Sequence, residues 1–299
     1  MGSGLKRQQK GARTQLMIML VPFFALFFIF TILPVLISIV LSFTHFNGLE
    51  WPSFAFFDNY VRLFSKDALF LTAFKNTLLI SVLTGPLSYI LCFLFAWLIN
   101  ELPNKVRAVL TLVFYAPSIA GQVYLIWQVV FSSDLYGFMN SLLLRFGLIQ
   151  EPINWLADPR YMMPVVIVVQ LWMSLGTGFI AFIAGMKGLD ASLSEAAAID
   201  GMKNRFQELW YVSLPQIKPV LLFGAVMQIT AAFSNNAAVI ALTGLPSVDN
   251  ATHTLMSHLT DYGSLRYDIS YACTIAVLLF CIMLGVNQLV QKMLRGVGK

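Results

Sequence analysis

Six long stretches of this 299-residue sequence contain no aspartate, glutamate, lysine or arginine. They run 14–49, 76–100, 108–133, 161–186, 219–248 and 269–291. Each holds at least the roughly 20 residues that a helix needs to cross the hydrocarbon core of a bilayer. Backbone amides and carbonyls find no partner in lipid, so stretches of this length are expected to be helical. The sequence therefore predicts an all-α polytopic membrane protein with six transmembrane helices, at 17–42, 77–99, 109–132, 162–186, 220–243 and 269–291.

The composition agrees with a membrane protein. Hydrophobic residues make up 58% of the chain and charged residues 11%, and the mean hydropathy is +0.76. The first apolar run follows a basic stretch, as a signal peptide does, but it far exceeds the about 7 to 15 residues of a signal-peptide core. We therefore expect an uncleaved first span. The three cysteines lie inside apolar stretches without metal-type spacing, and we interpret them as packing residues.

Lysine and arginine are distributed unevenly between the segments that join the predicted spans. Thirteen of the 19 fall in the N-terminal tail, the second-to-third loop, the fourth-to-fifth loop and the C-terminal tail, and six fall in the other loops. Positively charged loops stay in the cytoplasm, so both termini and the fourth-to-fifth loop are predicted to be cytoplasmic. This asymmetry accounts for the net charge of +5, and a nucleic-acid partner is not expected.

The fourth-to-fifth loop, residues 188–219, contains a polar, helix-forming sequence, EAAAIDGMKNRFQELWYVSLP, at 195–215. Ser192 and Glu195 have the spacing of a capping box, which would begin one short helix. Gly201 can take the left-handed conformation that ends it. A second short helix is predicted over 204–212, ending at Leu214-Pro215.

This loop resembles the EAA loop of binding-protein-dependent ABC importer permeases. The motif of that family has E-A-A, then D-G, then L-P about a dozen residues further on. The matching positions here are Glu195, Ala196, Ala197, Asp200, Gly201, Leu214 and Pro215. The alanine that usually follows the glycine is replaced by Met202, and the spacing from Gly201 to the L-P pair is about one residue longer than usual.

The resemblance implies a type I ABC importer permease with partners. The loop would seat in a groove of an ATPase, with one of two ATPase copies on each permease. A second permease subunit would complete the pathway, and an extracytoplasmic solute-binding protein would deliver the substrate. The implied location is the bacterial plasma membrane, where lipid would surround the chain. The chain has no G-x-x-x-x-G-K-[ST] sequence, so ATP and Mg²⁺ are expected on the partner ATPase and no cofactor on this chain.

Polar residues at helical spacing inside the spans are candidates for the solute pathway. An ion-coupled carrier would need ionisable groups there, whereas a neutral polar solute needs amides, hydroxyls and aromatic faces. Helix 3 carries a polar stripe at i, i+4, i+7 and i+11. Maltose-type permeases, which this chain resembles, hold sugar mainly with the helices on either side of the EAA loop. The candidates are Tyr115, Gln122, Gln170, Trp172, Ser174, Thr177, Gln228, Ser234, Asn235 and Asn236. Hydrogen bonding between helices is the alternative role for any one of them.

No catalytic or metal-binding constellation is visible in the sequence, so the chain is not expected to be an enzyme. His45, His253 and His258 lie outside the predicted spans, and no nucleophile or metal set accompanies them. Five residues separate His253 from His258, which places them poorly on one helix face. We therefore predict surface histidines.

These observations favour a permease subunit of a carbohydrate importer. Residues 1–56 would form the cytoplasmic tail, the first span and the start of the first outer loop. Residues 57–291 would form the core of five spans, and residues 292–299 a cytoplasmic tail. The outer segments 44–75 and 133–160 are predicted to contain short amphipathic helices. A secondary carrier of a neutral solute, a non-transporting scaffold or receptor subunit, and an ABC importer for a non-sugar substrate remain alternatives.

Overall fold

The computed structural model describes residues 17–202, 204–234 and 236–294, with Ala191 described by its backbone alone. Helices dominate this part of the chain. They are α1 Met17–Leu41, α2 Asp58–Ser65, α3 Phe70–Asn100, α4 Asn104–Ile119, α5 Leu125–Val130, α6 Phe138–Arg145, α7 Pro159–Met173, α8 Thr177–Lys187, α9 Ala191–Ile199, α10 205–216, α11 Lys218–Ser234, α12 Ala237–Thr243, α13 Leu255–Thr260 and α14 Ile269–Leu294. Two short strands, β1 Thr44–His45 and β2 Ser53–Phe54, pair antiparallel.

Five stretches of the described residues are long and apolar enough to cross a membrane. They are Met17–Leu41, Phe70–Asn100, Pro159–Lys187, Lys218–Thr243 and Ile269–Leu294. These five confirm the first, second, fourth, fifth and sixth predicted spans. The short helices α2 and α6 also lie where the sequence predicts helices.

The third predicted span, 109–132, is wrong as a single helix. The structure divides it into α4 and α5, separated by a non-helical turn at residues 120–124. Pro117 lies near the end of α4, and Ala120 after it takes an extended backbone conformation. A proline cannot donate the helical hydrogen bond, which weakens the helix at this point. Hydropathy measures the cost of transfer to lipid and cannot detect such an interruption.

The chain contacts divide the protein into two units. Among the described residues, the first contains those up to Lys66 together with Tyr262–Leu278, and the second contains those of Asp67–Asp261 together with those from Leu279 onward. In the first unit, Arg62 of α2 donates a hydrogen bond to Asp268 at 2.7 Å. Its guanidinium also lies 4.1 Å from the centre of the Tyr271 ring. These contacts hold α2 against the beginning of α14.

In the second unit, α3, α8 and α11 pack against one another around Phe182, which is fully buried. Small residues allow the close approach, as is common between membrane helices. A side chain at Gly224 of α11 would overlap the Phe182 ring. Tyr89 and Phe93 of α3 approach the same ring edge-on, at 5.4 and 5.7 Å between ring centres. This three-helix contact forms the base on which the candidate site is built.

Candidate functional site

A cavity of about 410 Å³ lies among α3, α4, α7, α8 and α11, all within the second unit. Its wall combines hydroxyls, amides, small residues and one tyrosine. The lining residues are Thr84, Ser88, Tyr115, Ser118, Gln170, Met173, Ser174, Gly176, Thr177, Gly178, Met227, Gln228, Thr230, Ala231, Ala232 and Ser234. None of these residues carries a charge at neutral pH. The cavity therefore suits a neutral solute that forms hydrogen bonds.

The structure brings together most of the residues that the sequence suggested for the pathway. Six of them line the cavity: Tyr115, Gln170, Ser174, Thr177, Gln228 and Ser234. Three others do not line it. Gln122 is exposed in the turn between α4 and α5, Trp172 packs edge-on against Trp127 at 5.4 Å, and Asn236 faces a different segment. The tenth, Asn235, lies outside the described residues.

Gln228 connects three helices at the edge of the cavity. Its side-chain amide nitrogen donates to the Ser174 carbonyl at 3.2 Å and to the Cys92 sulfur at 2.8 Å. Its side-chain oxygen accepts from the Ser88 hydroxyl at 3.2 Å. Only 4% of Gln228 is exposed. A buried amide in lipid needs such partners, so Gln228 holds the wall in shape besides lining it.

The Gln228 contact falls where the fourth span is interrupted. Helix α7 ends at Met173 and α8 begins at Thr177, so the backbone between them is not helical. The Ser174 carbonyl released by this break accepts bonds from Gln228 and from the Cys92 thiol at 3.4 Å. Irregular backbone at membrane depth is tolerated where protein or a wet cavity surrounds it. The break exposes polar backbone to the cavity.

Two cavity residues on α3, Thr84 and Ser88, were missed by the sequence reasoning. The signal was present, since the hydroxyl residues of this helix recur at i, i+4, i+7 and i+11. They are Thr77, Ser81, Thr84 and Ser88, and each is less than 7% exposed. The third predicted span has the same spacing of polar residues. A stripe of hydroxyls on α3 therefore faces the interior along its length.

Asn236 belongs to a second polar network, around α13. Its side-chain oxygen accepts from the Ser257 hydroxyl at 2.6 Å, and its nitrogen donates to the Thr260 hydroxyl at 3.1 Å. Both partners lie on α13, in the segment that follows the fifth span. Asn236 thus fastens this segment to the beginning of α12.

The prediction of surface histidines is wrong for His253 and His258, which are 3% and 0% exposed. The two ring nitrogens that face each other lie 3.0 Å apart, and His258 also contacts the Asp67 carboxylate at 2.8 Å. The spacing argument failed because His253 precedes α13, so the two residues do not share a helix. Asn76 donates to the His253 carbonyl at 2.9 Å, which pins the same segment to α3.

The loop between α8 and α11 begins with a different cap from the predicted capping box. Asp190, two residues before Ser192, is the N-cap of α9, and its carboxylate accepts from the Ser192 amide at 2.9 Å. Hydrogen bonds from Ser192 lower the pKa of the Asp190 carboxyl below its usual value. Because Asp190 takes the capping role, Glu195 is left exposed on the first short helix.

Gly201 ends α9 as predicted, with a φ of +90°. The Gly201 amide donates to the Ala198 carbonyl at 3.2 Å, and the Met202 amide donates to the Ala197 carbonyl at 3.1 Å. This pair of bonds is the Schellman motif, which requires a left-handed residue. A Cβ on Gly201 would meet no atom within 4 Å, so the requirement for glycine comes from the backbone angle alone.

The second short helix, α10, continues through Leu214-Pro215, where the sequence predicted a break. It contains a π-helical turn at Leu209–Ser213 before the last turn, Leu214–Gln216. A wider turn accommodates a residue without an amide hydrogen, so Pro215 is tolerated. The chain leaves the helix at Ile217 instead. Leu214 is buried, and Pro215 is exposed.

The loop 188–219 exposes several large apolar side chains. They are Leu193, Ile199, Phe206, Trp210 and Tyr211, with exposed fractions of 48, 86, 65, 62 and 67%. Apolar clusters on a polar segment mark surfaces that another molecule covers. Within the described part of the chain, no group of three or more His, Cys, Asp or Glu is arranged to hold a metal ion.

Comparison with known proteins gives consistent relatives. The family described as "Binding-protein-dependent transport system inner membrane component" matches residues 101–295. The probable ABC transporter permease protein YesP of Bacillus subtilis (strain 168) is 32% identical over 215 residues, which is 71% of this chain and 68% of that protein. The lactose transport system permease protein LacF of Rhizobium radiobacter is 28% identical over 260 residues, 85% of each chain.

A solved structure shares the fold. A chain of a bacterial ABC transporter involved in the import of the acidic polysaccharide alginate superposes with a TM-score of 0.77 and 25% sequence identity, covering 98% of this chain and 100% of that one. The all-α polytopic architecture is thus that of an ABC importer permease. Since the family match also spans well over half of the sequence, this chain belongs to the inner membrane components of binding-protein-dependent transport systems.

Proposed function

We propose that this protein is the permease subunit of an ATP-driven importer and forms half of the pathway for a neutral carbohydrate or oligosaccharide. The uncharged cavity, with hydroxyls and amides set among small apolar groups, carries this proposal. Sugars present hydroxyls that pair with amides and hydroxyls, and apolar faces that stack on aromatic rings. Tyr115, Gln170 and Thr177 supply these groups at one site.

The charge of the cavity argues for a neutral substrate. The structurally similar alginate importer handles an acidic polysaccharide, which calls for cationic groups along its route. The described lining residues of this chain include no lysine, arginine or histidine. Relatives are named for lactose and for arabinooligosaccharides, which are neutral. These names support a carbohydrate as the substrate. Because another relative is named for polygalacturonan and rhamnogalacturonan, which are acidic, the neutral charge of the solute rests on the cavity alone.

The loop 188–219 is the proposed docking site for an ATPase. Its exposed apolar side chains need a partner in water, and the positive-inside rule places this loop in the cytoplasm with both termini. ATP and Mg²⁺ would bind to the ATPase, and two copies would serve this chain and a second permease. The family is binding-protein-dependent, which supports an extracytoplasmic solute-binding protein as the remaining partner, in a bacterial plasma membrane.

The test is uptake by the complete complex, purified from native membranes and reconstituted in liposomes. Mass spectrometry of the purified complex should identify a P-loop ATPase and a second permease. Gly201→Asp and Glu195→Lys should each abolish or strongly reduce ATP-driven uptake, while Glu50→Lys, an exposed charge change in the outer loop, should not. Normal uptake by both loop variants would refute the coupling role. Uptake that persists without ATP and collapses with an ion gradient would indicate a secondary carrier.

A further inference from the structure

The loop 188–219, the coupling loop, contains the two short helices α9 and α10. Helix α10 contacts the C-terminal end of α3, which is not its neighbour in sequence. Arg205, the first residue of α10, lies between two carboxylates. It contacts Glu101, at the C-terminal end of α3, at 3.3 Å and Glu208 of its own helix at 2.8 Å. The hydrogen bond that Arg205 donates to Glu208, together with the charges of Glu101 and Glu208, raises the pKa of Arg205. Arg205 therefore stays charged and bridges the two helices.

An aromatic contact lies beside this ion pair. The rings of Trp97 on α3 and Phe206 on α10 have their centres 5.3 Å apart, with an angle of 59° between their planes. Tilted aromatic pairs at this distance attract each other. The contact thus joins the next residue of α10 to the preceding turn of α3.

Beneath these contacts, α10 enters the apolar core. Leu209 and Leu214 are 7% and 9% exposed, and they belong to the same buried cluster as Ala96 and Ile99 of α3. Helix α10 is therefore held against α3 by a buried apolar layer, with an aromatic pair and an ion pair at the edge of this layer. By contrast, α8 and α11 are connected to the loop by the chain itself.

The other end of this connection is the cavity. Thirteen residues before Glu101, Ser88 of α3 donates to Gln228, and Cys92 donates to the Ser174 carbonyl at the break of the fourth span. At about 1.5 Å per residue, this distance is about 20 Å along one uninterrupted helix. Such a helix is stiff enough to carry a displacement from its cytoplasmic end to the cavity wall.

We propose that the Glu101–Arg205 ion pair positions α10 on α3, so that movement of the coupling loop reaches the cavity through α3. The inference rests on the proposed ATPase docking of this loop. The pair is exposed, at 66% for Arg205 and 43% for Glu101, so it contributes little to the stability of the fold. Its role is to set the position of one helix on another, and Glu101 is a positioning residue that acts through Arg205.

The experiment measures sugar uptake per ATP hydrolysed in the reconstituted complex. Glu101→Arg and Arg205→Glu should each lower this ratio about two- to fivefold, which is the range expected for an exposed ion pair. The Glu101→Arg, Arg205→Glu double variant restores the opposite charges and should recover most of the ratio. Lys105→Glu reverses an exposed charge on the adjacent helix and should leave the ratio unchanged.

One further variant separates this role from general damage. Glu101→Gln removes the charge with little change in size, and it should lower the ratio while ATP hydrolysis and co-purification of the ATPase stay normal. A wild-type ratio in both Glu101 variants, or no recovery in the double variant, would overturn the proposal. Failure of the unmodified chain to co-purify with an ATPase would instead refute the proposed docking.

Discussion

The cavity and the coupling loop each carry side chains whose polarity is opposite to that of their surroundings. The cavity places hydroxyls and amides at membrane depth, whereas the loop exposes Leu193, Ile199 and Trp210 on a polar segment. Each arrangement is unfavourable for an isolated chain, because polar groups in lipid lack hydrogen-bond partners and apolar groups in water lack cover. On the function proposed above, each region would be completed by something else, the cavity by water or solute and the loop by a protein.

The largest expected effect is a difference in stability between substitutions of a buried and of an exposed residue in the coupling loop. Leu214→Ala removes a buried side chain, and we expect a loss of about 2 to 5 kcal/mol in stability. Trp210→Ala removes an exposed one and should leave stability unchanged while weakening ATPase co-purification. Thermal unfolding and co-purification of both variants in detergent measure this contrast. Equal destabilisation by the two substitutions would contradict the assignment of Trp210 to a docking face.

A second prediction concerns the hydrogen bonds of Gln228 in the cavity wall. Gln228→Leu leaves the Ser88 hydroxyl and the Ser174 carbonyl without this partner, at a cost of about 1 to 3 kcal/mol. We expect a lower melting temperature together with reduced uptake. Gln291→Leu, which removes an amide that donates to Asn287 on the same helix, is the matched control. An unchanged melting temperature in Gln228→Leu would show that these bonds do not hold the wall.

A smaller effect should follow from Tyr115→Phe, which removes one hydroxyl from the cavity and keeps the ring. The loss of one hydrogen bond to solute, about 1 kcal/mol, corresponds to roughly a fivefold increase in the KM for uptake. Assembly with partners should be normal. Tyr136→Phe, on a tyrosine that is 95% exposed in an outer segment, should leave KM unchanged. Identical KM values in the two variants would remove Tyr115 from the pathway.

The smallest effect concerns the pH response of the loop. The pKa of Asp190 is lower in the folded chain because Ser192 donates to its carboxylate. The N-cap therefore stabilises α9 fully above the unfolded-state pKa, and this contribution is lost as the pH falls through the folded pKa. Titration of the Asp190 carboxyl should thus leave ATPase co-purification constant from neutral to mildly acidic pH. Asp190→Asn, which retains capping ability, should behave in the same way. If the unmodified loop lost ATPase binding in mild acid and the Asp190→Asn variant did not, the lowered pKa of Asp190 would be contradicted.

The loop and the cavity also differ in how far they follow from the sequence. The left-handed turn at Gly201 is predictable because neighbouring residues alone determine it. The helix before this turn, α9, begins after Asp190 and not at the predicted capping box, because two residues in the sequence could each act as the cap. Helix α10 passes through Pro215 because a π-helical turn precedes it, and the local sequence does not reveal such a turn. The cavity residues Thr84 and Ser88 were missed, although the hydroxyl stripe on α3 was visible.

The long uncharged stretches, their helical form and the polar, helix-forming loop that joins two of them were determined by the sequence alone. Burial of backbone polar groups in lipid permits almost no other structure, so these features need no knowledge of tertiary contacts. Only the tertiary structure decided that the third span is interrupted, that His253 and His258 are buried beside Asp67, and that Gln228 joins Ser88 to Ser174. The contacts of His258 and of Gln228 depend on residues far apart in sequence, whose side chains meet only when the helices pack.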